Sequence, residues 1–130
     1  MLPDSTGQFA ALFRPIHMIG LELAVSVASV VLRGEPTEAA TSFRSDVVAT
    51  AKRSLRGGEM LDGDGGNCVW GKQMLADRST RLGALPVGLT HHVRLKCDLA
   101  QGQVLRWDDV EYDSQDFAVL MRCQIEQAFV

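Results

Sequence analysis

The sequence predicts a mainly β domain with flanking helices, of the α+β class. Three observations carry that prediction. The first is an internal repeat: residues 47–61, VVATAKRSLRGGEML, return in outline as residues 95–105, LKCDLAQGQVL. With Lys52 set on Lys96, the copies share that lysine, Leu55 with Leu99, Gly58 with Gly102 and Leu61 with Leu105. Ser54 stands against Asp98, Glu59 against Gln103 and Met60 against Val104, so most unmatched positions keep their chemical type. Each copy reads as a strand, a tight turn in which glycine supplies the positive φ, and a second strand, and a repeat of such units implies a pseudo-symmetric β domain. The second and third observations are helical periods near the two ends of the chain.

Length and composition bound the rest. At 130 residues, with 46% apolar and 22% charged side chains, the chain has room for one globular domain and none for a separate nucleotide-binding domain beside it. A net charge of −3 supplies no basic field for nucleic acid. Cys68, Cys97 and Cys123 form no CxxC pair and leave one over in any disulfide scheme, so they are expected as buried thiols in a reducing cytoplasm.

In chain order, residues 1–12 read as a leader without a period, and Pro15 biases the stretch before it toward extended backbone. From residue 18, Leu21, Val25, Ala28 and Leu32 share one helical face, while Glu22, Ser26, Ser29 and Arg33 form a narrow polar strip; Gly34 and Pro36 end the helix. Ala24, Val27, Val30 and Val31 carry the apolar surface almost around the cylinder, which requires a second layer or another subunit as cover. The apolar window 15–32 is at the lower edge for a membrane span and contains Glu22, so a transmembrane or signal reading is set aside.

A polar linker, residues 35–45, divides a leader-and-helix segment, 1–44, from the β domain, 45–112, and a C-terminal helix follows in 113–130. Residues 62–67, DGDGGN, read as a turn rather than a calcium loop, because Gly66 and Gln73 stand where an EF-hand needs oxygen ligands. Residues 68–70 read as a short strand, 74–81 as a helical turn, and 85–89 as a surface turn. Val93, Leu95 and Cys97 alternate with Arg94 and Lys96 as a half-buried strand. The carboxylates after Trp107 are placed to cap backbone amides. Ser114 is expected to cap the last helix, with Phe117, Leu120, Met121, Ile125 and Phe129 facing inward.

The ensemble AKRSLRGGEMLDGDGGNCVWGK followed by ALPVGLTHHVRLKCDLAQGQVLRWDDV resembles the SAF (antifreeze-like) domain of sialic acid synthases and flagellar assembly chaperones. More narrowly it is similar to the version that ends homoserine-dehydrogenase-like NAD(P)-dependent oxidoreductases, and FRPIHMIGLELAVSVASVVLRGEPT resembles the segment that leads into SAF there. The resemblance covers about residues 13–110. It implies a β-clip-like fold and a role as lid or oligomerisation region. The partner it implies is a second copy or an N-terminal oxidoreductase domain that this chain lacks. NAD(P) is implied only for the full-length family: the chain has neither G-x-G-x-x-G between a strand and a helix nor a Walker lysine motif, so no cofactor-binding residue carries over. Catalysis by this chain alone is not expected.

Candidate substrate-facing residues follow. His17, in the lead-in, stands where a missing domain would meet the helix. Lys52, Lys72 and Lys96 are ammonium groups suited to an anionic sugar acid, the alternative function being a stand-alone module for a carbohydrate, sugar acid or protein partner. His91 and His92 are adjacent, so on a regular strand they point to opposite faces and cannot chelate one metal as a pair.

Overall fold

A computed structural model describes residues 2–7, 10, 11, 13, 15, 16, 18–37 and 42–129. His17 lies outside the described residues. The chain divides into two compact units, Met1–Ala40 and Thr41–Val130.

In the first unit, β1 (Leu2–Pro3) and β2 (Ala10–Ala11) form a two-residue antiparallel ladder. Helix α1 (Ile19–Arg33) follows. The Glu22 carboxylate accepts the Met18 N–H at 3.4 Å, and Gly34, left-handed at φ 66°, donates its N–H to the Val30 carbonyl. The chain then turns back over the polar strip. Ser29 Oγ donates to the Glu35 carbonyl at 3.0 Å, Arg33 donates to Ser29 Oγ at 2.9 Å, and the Ser26 and Thr37 hydroxyls lie 3.2 Å apart. Ser29 is 3% exposed, whereas Val31 is 73% and Leu32 80% exposed. The usual ordering of an amphipathic helix is inverted: its polar strip is stitched down and its apolar faces are open.

The second unit holds two antiparallel sheets. In one, β3 (Ser45–Ala51) pairs along its whole length with β5 (Val69–Leu75); in the other, β6 (His91–Leu95) lies between β4 (Met60–Asp62) and β7 (Val110–Glu111). Helix α2 (Ala76–Leu82) continues directly from β5, 3-10 turns cover Val87–Leu89 and Trp107–Asp109, and α3 (Phe117–Phe129) closes the chain. Leu55, Leu61, Val69, Leu85, Leu95, Leu99, Leu105 and Val110 form the core with Ala49, Ala51 and Cys68. Residues 49–51 are buried throughout, because β3 is covered on both faces, which suits Ala-Thr-Ala.

The repeat is built around an approximate two-fold axis between Leu55 and Leu99, each of which donates its N–H to the other's carbonyl at 2.9 Å. The flanking bonds come in matching pairs. Ala51 donates to the Gln103 carbonyl and Leu95 to the Glu59 carbonyl, both at 2.9 Å; Gly58 donates to Leu95 and Gly102 to Ala51. Even the turns agree: Glu59 accepts the Arg56 N–H through its side chain, and Gln103 accepts that of Ala100, both at 3.2 Å. Each copy's turn therefore bonds to the other copy's strand, so neither half is satisfied alone. Gly58 and Gly102 take φ values of 84° and 80°, the left-handed conformation that explains why glycine recurs there.

Two elements, β5 and α3, differ from expectation. β5 runs to Leu75, because the full-length ladder with β3 carries the strand through Gly71, where a side chain would collide with Val47. α3 buries a different stripe from the one its apolar residues suggest. Phe117 is 77% exposed and Leu120, Met121 and Ile125 are also exposed, while Val119 and Arg122 face inward. The cause is an ion pair: Arg122 meets Asp46 of β3 with two hydrogen bonds, Nη1 to Oδ1 at 3.1 Å and Nη2 to Oδ2 at 2.5 Å. Ser79 Oγ also donates to Asp46, Glu126 takes the Arg122 Nε at 2.7 Å, and the guanidinium lies 4.8 Å from the Phe43 ring centre. Burial pushes the Asp46 carboxyl up, but the Arg122 and Ser79 hydrogen bonds outweigh it and hold it below its ordinary value. The α3 cap is Asp116, whose carboxylate accepts the Ala118 and Val119 N–H groups, rather than Ser114.

Candidate ligand cavity

A cavity of about 320 Å³ opens in the second unit, where the second repeat copy meets the start of α3. Leu89, Val93 and Val119 provide its apolar floor, Trp107 and Tyr112 an aromatic wall, and His91, His92, Glu111, Asp113 and Asp116 its polar rim. The two aromatic rings meet edge to face with centres 4.9 Å apart, an arrangement that fixes both rings.

The imidazoles reach this wall by breaking strand alternation. Both line the cavity, with ring centres 6.2 Å apart, so the expectation of opposite faces is corrected. β6 carries a register shift against β4 between the Met60–Arg94 and Asp62–His91 pairs, and His92 takes φ 57° there. A bulge with one residue in the left-handed region turns a side chain that would otherwise point away, and a non-glycine residue in that conformation stores strain. The loop before β5 supports the same wall: the His91 ring lies directly on Gly63, leaving no room for a side chain at that position.

The acidic rim is partly committed to structure. Asp113 accepts the Gln115 N–H at 2.8 Å and Asp116 caps α3, which orders the turn between β7 and the helix. Glu111 enters no ion pair among the described residues; its ladder neighbour Arg94 instead donates to the Gly58 carbonyl at 2.6 Å. No group of three or more His, Cys, Asp or Glu side chains among the described residues is placed to hold a metal ion.

The lysines lie elsewhere. Lys52 donates through Nζ to the Gly66 carbonyl, Lys72 is exposed on β5 opposite Val48, and Lys96 is exposed beside a backbone bond to Asp109. Thus His91 and His92 come together in the cavity, and Lys52, Lys72 and Lys96 do not join them. Residues 62–67 close on themselves as a turn: Asp62 accepts the Asn67 N–H at 2.5 Å and the Cys68 N–H at 3.0 Å, and these bonds lower its carboxyl to about 2.

Of the three thiols only Cys68 is buried; Cys97 and Cys123 are exposed, correcting the expectation that all are interior. Desolvation, followed by the nearby Asp62, raises the Cys68 thiol, and desolvation with Asp109 raises Cys97, which makes both poor nucleophiles near neutrality. The cavity is lined by no serine, cysteine or lysine; the polar groups it offers are imidazoles, carboxylates and a phenol. Trp107, Glu111, Tyr112, Asp113 and Asp116 were not among the candidate ligand-facing residues. For all of these but Trp107 the signal is the run EYDSQD, acidic and aromatic residues placed between a strand and a helix. No family model and no curated protein matches the chain.

Proposed function

We propose that the chain is an accessory module of the SAF kind, the C-terminal portion or a truncated relative of a homoserine-dehydrogenase-like NAD(P)-dependent oxidoreductase. It acts as lid and assembly region and has no cofactor site of its own. The observation that carries the reading is α1, whose leucines and valines are largely exposed while its polar strip is bonded down. Such a surface is stabilised by covering it with another layer, roughly 25 cal/mol for each Å² removed from water. The two-fold repeat supports an accessory role, because its hydrogen bonds are spent on building a core rather than cradling a phosphate.

Light scattering across a dilution series tests this reading. The expected result is a dimer or larger species, or a monomer that binds a hydrophobic dye; Val31→Asp should abolish either behaviour while leaving the near-ultraviolet spectrum of the second unit intact. A dilution-stable monomer that binds no dye would remove the support for an assembly role.

The cavity favours a second reading, a stand-alone module for a small ligand. Its volume is at the lower end of the range for small-molecule sites, and it combines an apolar floor with a few polar groups in the usual manner.

A further inference from the structure

We infer that the cavity beside Trp107 and Tyr112 binds an organic ammonium ion with an apolar body, of the size of an arylalkylamine. This deepens the binding-module reading and rests on it. Four features of the cavity converge on that class. Its walls present the carboxylates of Glu111, Asp113 and Asp116 and no lysine or arginine, so the local field favours a cation and repels a sugar acid. Beside them stands an edge-to-face aromatic pair, and the negative face of an aromatic ring attracts an ammonium group while its area covers an apolar body.

The third feature is spacing. The imidazoles, 6.2 Å apart at their ring centres, do not converge with the carboxylates into a metal-ligand set, yet they supply acceptors across a width that suits a molecule rather than an ion. The fourth concerns the helix end at the rim. The first free amides of α3, which would otherwise attract an anion, are already occupied by the Asp116 carboxylate at 2.8 and 3.3 Å. With that positive end closed, the aromatic wall and Glu111, which enters no ion pair among the described residues, set the sign of the ligand.

The test is a titration of the whole ¹⁵N-labelled chain with four probes: phenethylammonium, its neutral isostere 2-phenylethanol, the anion phenylacetate, and the sugar acid galacturonate. Phenethylammonium is expected to shift the Trp107 indole and Tyr112 amide signals saturably, and to bind roughly fivefold more tightly than the alcohol. Glu111→Gln, a change at an exposed position on β7, should erase most of the cation's advantage over the alcohol. Added salt should weaken the cation alone, a readout that needs no variant. Equal binding of alcohol and cation, or preferential binding of phenylacetate or galacturonate at the same signals, would overturn the ammonium assignment while leaving a binding module. Silence from all four probes would overturn both.

Discussion

The two copies of the repeat agree in their centre and part company at their edges. Around Leu55 and Leu99 the bonds are paired one for one. Outward from there, β3 of the first copy continues in a seven-residue ladder with β5, whereas β6 of the second bulges at His92 and finds only two partners on β7. At the positions matching His91 and His92 the first copy has Val47 and Val48, paired regularly with Gln73 and Lys72. The second copy leaves the same place open as the cavity. Symmetry in this molecule builds the core, and the departure from it opens the cavity.

The comparison is broken most severely at its axis. Leu55→Ala and Leu99→Ala each remove a buried leucine and should each cost about 3–4 kcal/mol, read by chemical denaturation. Because the two leucines stand opposite each other in one core cluster, the double variant should depart from additivity. Additive losses would show that the two copies are stabilised independently.

The next effect tests whether α3, which leans on Asp46 of β3 while bordering the cavity, is part of the frame. Arg122→Ala strands a buried carboxylate and should cost about 3 kcal/mol. The same pair sets an acid response. The folded-state pKa of Asp46 lies below its unfolded value of 3.8, so its contribution is present above that value and is lost as pH falls below it. Arg122→Ala should flatten this part of the stability profile; an unchanged profile below pH 4 would deny Asp46 that role.

A milder pair of variants compares the turns directly. Gly58→Ala and Gly102→Ala meet no neighbouring atom, so each should cost only the left-handed backbone penalty, about 1–2 kcal/mol, and the two costs should agree closely. A marked inequality would mean that the turns are not equivalent. The smallest expected effect has the opposite sign. His92→Gly relieves a strained φ and should stabilise the fold by about 0.5–1 kcal/mol while weakening ligand capture in the cavity. Destabilisation would indicate that the ring serves packing instead.

The α+β composition, the extent of α1, its glycine stop and the repeat were all legible from the chain. Each depends on local properties: side-chain period, left-handed glycine and residue spacing. The cavity was half legible. The sequence marks His91 and His92 as candidates, but strand alternation would send them to opposite faces, and only the bulge brings both to the cavity. The buried stripe of α3 is hidden from the sequence for a similar reason. Apolar periodicity favoured Leu120 and Ile125, and a buried Arg122–Asp46 pair seventy-six positions apart in the chain turned the helix otherwise.

What the residues settled unaided was the inventory: two glycine turns of one pattern, a helix too apolar for its own short segment, and the absence of a phosphate-binding glycine motif. Pairing needed the folded chain. Which turn bonds to which strand, which face of α3 is buried and which side chains share a cavity are set by contacts between distant segments. Local preferences differ there by less than the free energy of a buried ion pair or a core leucine, so the tertiary contacts prevail.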